Sequence, residues 1–132
     1  SATNNPAISR ITIVVHVDDE TELQQIILQS ANLQETQQVF ALDISHSLLR
    51  ELLLLKVQAD VTNRAELKEI CSIYKAKIID LSPDSMVFEL TGEPEKIDAF
   101  LKMLAGYKIL EMCRTGITAL ERGGAHGHVQ QQ

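Results

Sequence analysis

Side chains able to do chemistry are few in this sequence, and their spacing assembles none of the familiar reactive groupings. His126-x-His128 offers two nitrogen ligands to a metal, but a pair in a polar tail falls short of the ligand set a zinc site needs. His16 follows a β-branched run and is expected to be a polar strand end rather than a base. Ser9, Ser47 and Ser72 have no histidine and aspartate arranged around them in sequence, so only folding could supply a triad. Asp18-Asp19-Glu20 suits a helix start, where the helix dipole favours negative charge. Gly123-Gly124 lies in the tail with no helix pattern after it, unlike a phosphate-binding loop. Arg114-Thr115-Gly116 has two readings. As a structural turn, Gly116 allows an unusual backbone and Arg114 pairs with a carboxylate. As a functional element, the three residues are candidates for contact with a partner protein. Cys71 and Cys113, 42 positions apart in apolar surroundings, suggest neither a disulfide framework nor a four-ligand metal site. Both are expected to be reduced core thiols, which points to the cytoplasm.

The elements that position these residues come from a chain of 132 residues, enough for one medium domain or two small ones. Apolar residues make up 45% and charged residues 23%, an ordinary globular balance. No uninterrupted apolar run exceeds the four leucines at 52–55, so no membrane-spanning stretch is expected, and no secretory leader pattern is visible. The net charge of −6 disfavours nucleic acid and anionic membranes. Aromatics are only 4% and Trp is absent, which argues weakly against a small-molecule pocket and hence against an enzyme. Residues 1–47 hold one basic residue, Arg10, against six acidic ones and are rich in Gln, whereas residues 48–132 are nearly balanced. This shift places a join near Ser45 to Ser47.

Ile11 to Val15 reads as a strand, Asp19 with Glu22 as a capping box, and Leu23, Ile26, Ile27 and Ser30 as one helix face. Val39 to Ile44 is expected to be a second strand, making residues 10–44 a strand–helix–strand segment. Beyond it, Leu52 to Val57 reads as a strand, and Asn63 with Glu66 as a second capping box ahead of Leu67, Ile70, Cys71 and Tyr74. Lys75 and Lys77 suit that helix's negative end. Ile78-Ile79 opens a strand, Ser82-Pro83-Asp84-Ser85 is a turn, and Met86, Phe88 and Leu90 alternate along another strand. Pro94 suits the first turn of a helix with Ile97, Phe100, Leu101 and Leu104 buried, Gly106 ends it, and Ile109 to Met112 is a last strand. The order β-α-β-β-α-β is the ferredoxin-like split unit, with a four-stranded antiparallel sheet and two helices on one face. Its expected core is Leu53, Leu55, Leu67, Ile70, Ile79, Phe88, Ile97, Leu101 and Leu104. Residues 1–47 read as the back half of a similar unit, 48–122 as the complete unit, and 123–132 as a loose tail. The start at Ser1-Ala2-Thr3 and the missing front half together suggest an N-terminally truncated two-domain protein. Half a unit leaves a sheet edge open, so the chain is expected to self-associate.

Several motifs in this order resemble the regulatory small subunits of acetohydroxyacid (acetolactate) synthase. They are Asn5-Pro6-Ala7-Ile8-Ser9-Arg10 running into Ile11 to Val15, Arg50-Glu51 with Leu52 to Val57, Ile78-Ile79-Asp80, Thr91-Gly92, and Lys96 to Leu101. The pattern closes with Glu111-Met112-Cys113-Arg114-Thr115-Gly116 and Ala119-Leu120-Glu121-Arg122-Gly123. The resemblance covers residues 5–123 and implies an ACT domain, here partial, followed by a ferredoxin-like domain. It implies a non-catalytic subunit that binds and activates a catalytic large subunit and confers feedback inhibition by a branched-chain amino acid, most often valine. Thiamine diphosphate, Mg and FAD would belong to the large subunit, with no cofactor on this chain. The family's effector-binding positions precede Ser1, so no effector residue is assigned here. Arg114, Thr115 and Gly116 become candidates for contact with the large subunit. Two departures stand out: Gln24 to Gln38 replaces a pattern that normally carries Lys, and the tail after Gly123 does not match. The alternative is a free-standing ferredoxin-like sensor of a ligand or metal, which would call for a basic DNA-binding helix or clustered His and Cys.

Overall fold

The computed structural model describes residues 11–124 except 16, 35 and 37. Its contacts form two units, the described part of Ser1–Leu48 with Ala119–Gln132, and Leu49–Thr118. Ser9, His16, His126, His128 and the tail beyond Gly124 lie outside the described residues.

In the larger unit the leucine run settles as a strand because alternate residues have different surroundings. Leu53, Leu55 and Val57 of β1 (Ser47–Gln58) have no solvent exposure, whereas Leu54 on the opposite face is 36% exposed. α2 (Arg64–Tyr74) follows, then β2 (Lys77–Ser82), β3 (Ser85–Gly92), α3 (Pro94–Met103) and β4 (Ile109–Arg114). The strand order is β2-β3-β1-β4, and each neighbouring pair is antiparallel. The unit is therefore α+β and ferredoxin-like, as its element order suggested. β2 turns into β3 through Pro83-Asp84, where the Ser82 and Ser85 hydroxyls lie 2.7 Å apart and the Arg64 guanidinium donates to the Pro83 carbonyl at 3.0 Å.

The helices cover one face of the sheet. Leu67, Ile70 and Cys71 of α2, and Ile97 and Phe100 of α3 with Leu104 just beyond it, pack over Met86, Phe88 and Leu90 of β3 and the buried residues of β1. Phe100 meets Tyr74 and Phe88 edge to face, with centroids 5.4 and 6.2 Å away. Two expected core residues differ. Ile79 is 48% exposed because it is the extra residue of a bulge between Ile78 and Asp80, which takes it out of the ladder. Leu101 is only partly buried at the flank of the core. Cys113 is also exposed rather than core. It pairs with Leu54, whose side chain is on the helix-free face.

The second capping box does not form. The Asn63 side chain makes no cap bond and instead accepts from the Asp60 N–H at 2.9 Å, while Glu66 takes the Tyr107 hydroxyl. α2 ends in a Schellman motif: Ala76 N–H donates to the Cys71 carbonyl at 2.8 Å and Lys75 N–H to that of Ser72 at 3.2 Å. Lys75 occupies the left-handed position, with φ 59°, where glycine is usual.

In the smaller unit α1 (Glu20–Ala31) forms as expected. Asp19 accepts from the Glu22 N–H at 2.7 Å, and Glu22 reaches back to the Asp18 N–H at 3.1 Å. Leu23, Ile26, Ile27 and Ser30 are its half-buried residues. The flanking strands do not form. Residues 11–15 and 39–43 take no regular structure, and residues 44–46 make a short 3₁₀ turn. Strand-forming composition is not sufficient, because an extended segment needs a neighbour for its N–H and C=O groups. Residues 11–15 join no ladder among the described residues, and Ile11 and Ile13 are 82% and 75% exposed. A strand that the sequence did not reveal, β5 (Thr118–Glu121), pairs with β1. Among the described residues no helix is long and apolar enough to cross a membrane.

Candidate functional site

The odd-numbered residues of β1 face the helices, so Glu51 is directed to the same side as Leu53 and Leu55. It is only 6% exposed. A carboxylate there needs a partner, and the sheet register supplies one. Leu53 pairs with Arg114 at the end of β4, which makes Arg114 a diagonal neighbour of Glu51 on the same face. Arg114 Nε and Nη2 donate to Glu51 Oε2 at 3.0 and 2.5 Å, and Nη1 donates to Asp98 Oδ1 of α3 at 2.7 Å. These bonds, Glu51 first and Asp98 second, hold the guanidinium pKa above its ordinary value. One arginine thus ties β4, β1 and α3 together.

Thr115 completes the join. Its N–H donates to the Leu52 carbonyl at 3.1 Å, and its Oγ1 accepts from the Leu52 N–H at 3.0 Å and donates to the Gly116 carbonyl at 2.9 Å. Gly116 turns the chain away with φ +80°, a conformation that glycine adopts without strain. The structural reading of Arg114-Thr115-Gly116 is therefore realised, while Thr115 and Gly116 remain exposed. On the helix-free face of the same two strands Lys56 bonds Glu111. This raises the lysine's pKa and lowers the carboxylate's, the hydrogen bond being the larger cause in both.

Other candidates are placed elsewhere. Ser47 is buried and donates to the Asp43 carbonyl at 2.7 Å, and Ser72 donates to the Lys68 carbonyl of its own helix at 3.0 Å. The sequence reading missed Asp43, Ser45 and His46, which do come together at the 3₁₀ turn. Ser45 Oγ and Asp43 Oδ2 lie 3.0 and 2.9 Å from the same nitrogen, His46 Nδ1. Because serine and aspartate share one ring nitrogen, the cluster fastens a turn rather than relaying a proton. Its hydrogen bonds, that from Ser45 foremost, lower the Asp43 pKa. A polar hollow of about 210 Å³ is lined by Gln58, Asp60, Asn63 and Tyr107, which is small for a ligand pocket. Among the described residues no cluster of His, Cys, Asp or Glu could hold a metal ion. Glu51 and Asp98 were not legible as Arg114's partners, since they lie 63 and 16 positions away.

The segment from Arg50 through the Arg114 join also carries the relationship to known proteins. The family described as "Small subunit of acetolactate synthase" matches residues 50–123, more than half of the chain. This chain belongs to the acetolactate synthase small-subunit family. The acetolactate synthase small subunit of Mycolicibacterium smegmatis is 38% identical over 122 residues, covering 92% of this chain and 71% of the relative. That of Bacillus subtilis is 37% identical over 121 residues, covering 92% and 70%. The crystal structure of the Thermotoga maritima small subunit superposes with a TM-score of 0.73 at 32% identity, covering 83% of this chain and 68% of that one. Membership accounts for the ferredoxin-like unit, which lies almost wholly within the matched residues.

Proposed function

We propose that this chain is a non-catalytic regulatory subunit of acetolactate synthase in branched-chain amino acid biosynthesis. It binds the catalytic large subunit in the cytoplasm and activates it. The observation that carries this reading is the family match across residues 50–123, which takes in the whole Arg114 join. Thiamine diphosphate, Mg and FAD belong to the large subunit, where the carbon–carbon bond is made. The exposed Thr115 and Gly116, held in place by Arg114, are the proposed contact with that subunit. Residues 1–47 act as part of an ACT domain, residues 48–122 as the ferredoxin-like domain. Valine, or another branched-chain amino acid, is the feedback inhibitor, taken at ACT-domain positions ahead of Ser1.

The test is reconstitution. The chain is added to a purified acetolactate synthase large subunit, complex formation is followed by co-purification, and acetolactate production is measured with and without valine. Binding with a rise in activity is expected, with weak or no valine sensitivity for residues 1–132 alone. Absence of binding, or acetolactate production by this chain without a large subunit, would overturn the reading.

A further inference from the structure

At one end of the larger unit three stretches of backbone meet around the polar hollow of about 210 Å³. They are Gln58 to Asp60 at the close of β1, Asn63 ahead of α2, and Gly106 to Lys108 between α3 and β4. Its walls are fixed by bonds of their own. Gln58 N–H donates to the Lys108 carbonyl at 2.9 Å, Ala59 N–H to that of Asp84 at 3.0 Å, and Asp60 N–H to Asn63 Oδ1 at 2.9 Å. The Tyr107 side chain packs against the core, and its hydroxyl donates to Glu66. The hollow is thus formed before anything enters it, as binding sites usually are.

The polar groups that line it are not used up by the fold. Thr62 donates both its N–H, at 2.8 Å, and its hydroxyl to Asp60 Oδ1, which leaves Oδ2 with no donor among the described residues. The same bonds, that from the hydroxyl foremost, hold the Asp60 carboxyl below its ordinary pKa, so it is charged at neutral pH. On the opposite rim the Lys108 ammonium and the Gln58 amide bond no described residue. No ion pair joins Asp60 to Lys108, so the two charges border one space without meeting across it. A lone anion there would meet Asp60 and a lone cation Lys108, whereas a molecule carrying both charges satisfies both rims. A metal ion is not the occupant the residues suit, since among the described residues no cluster could hold one.

Gly106 keeps the space open. Its φ is not in the left-handed region, and an added Cβ would meet no atom within 4 Å, so neither backbone nor packing calls for glycine. The volume is below that of pockets for drug-sized ligands, but equals the share of about seven water molecules. It therefore admits a molecule of about seven heavy atoms.

We propose that this hollow binds a small polar α-amino acid of the size of serine, its ammonium on Asp60 and its carboxylate on Lys108 and the Gln58 amide. The site is separate from the valine inhibition proposed above. Beyond Ala59 and the Tyr107 ring nothing apolar lines it, so a branched aliphatic side chain would be set against polar groups.

The full 132-residue chain, isotopically labelled, is titrated with serine at constant ionic strength and followed by nuclear magnetic resonance. Saturable shifts of the Asp60, Asn63, Gly106 and Lys108 backbone signals are expected, with a dissociation constant of about 1 mM or lower. Ethanolamine lacks the carboxylate, lactate lacks the ammonium, and valine lacks the polar side chain. Each should bind at least about tenfold more weakly than serine. Asp60→Asn keeps an oxygen for Thr62 and Lys108→Met keeps the stem, and each should weaken serine at least about tenfold. Gly106→Leu should fill the hollow and abolish the shifts with circular dichroism unchanged; if it unfolds the chain, the two charge variants decide the matter. No saturable shift at about ten times the expected dissociation constant would overturn the proposal. So would serine binding that survives both charge variants, or ethanolamine, lactate or valine binding as tightly as serine.

Discussion

Replacing Arg114 by methionine keeps the bulk of the side chain and removes the charge that satisfies Glu51. The bond to Asp98 contributes little, because that carboxylate is 65% exposed and such pairs give at most about 1 kcal/mol. The bonds to Glu51 matter more. The acceptor is 6% exposed, and hydrogen bonds to charged groups contribute about 1.5–3 kcal/mol. Breaking a fully buried ion pair costs about 3–5 kcal/mol, but the Arg114 side chain is itself 28% exposed, so water reaches Glu51 once it is gone. The expected loss is therefore about 2–4 kcal/mol. Urea unfolding at pH 7, followed by circular dichroism, measures it as a lower midpoint at unchanged slope. The double variant Arg114→Met/Glu51→Leu should recover much of the loss, because leucine extends the apolar row of Leu53 and Leu55. A loss below about 0.5 kcal/mol for Arg114→Met, or additive costs in the double variant, would refute the reasoning.

Leu53→Ala, at a position with no solvent exposure, should cost about 2–5 kcal/mol by the same assay. Lys75→Gly should stabilise by about 1 kcal/mol, because the left-handed backbone no longer strains a side chain; a loss of stability would contradict the Schellman geometry. At pH 8 a thiol reagent should modify Cys113 at once and Cys71 only on unfolding, since burial pushes the Cys71 thiol from its ordinary 9.0 up to about 11. The folded state then holds that proton more tightly than the unfolded chain, so stability should fall as pH rises from 9 through 11. At the acid end, Asp60 and Glu111 are held below their ordinary values by the Thr62 and Lys56 hydrogen bonds. The stability they add is complete above about pH 5 and lost as pH falls through their folded values, which an acid titration of the urea midpoint would follow.

The larger unit was legible because its signals were local and agreed with one another. Alternation in Met86, Phe88 and Leu90, the Ser82-Pro83-Asp84-Ser85 turn and Pro94 at a helix start each fix a short stretch, and together they fix the topology. Ile79 was not legible, because a bulge depends on how two strands meet rather than on either composition. Asn63 and Glu66 had the spacing of a capping box, but Asp60 and Tyr107 offered each a better partner. Ile11 to Val15 shows the limit of strand propensity, since composition cannot supply a neighbour. At the candidate site, the Arg114-Thr115-Gly116 turn was visible as a sequence feature. Its buried partner Glu51 was not, because sequence separation hides a diagonal contact across a sheet.

The same separation governs the order in which the molecule assembles. β2 and β3 meet across the two residues Pro83 and Asp84, a loop that closes quickly. β1 and β4 join residues as far as 63 apart, so their contacts are reached only after a long loop has been ordered at an entropic cost. The hairpin with α2, clamped by Arg64, is thus expected to form first, and β4 to dock after it. An interaction made last is absent from the folding transition state, so its removal is felt on the way out of the native state rather than on the way in. In stopped-flow kinetics Arg114→Met should accelerate unfolding and leave the refolding rate nearly unchanged, whereas truncating Phe88 should slow refolding.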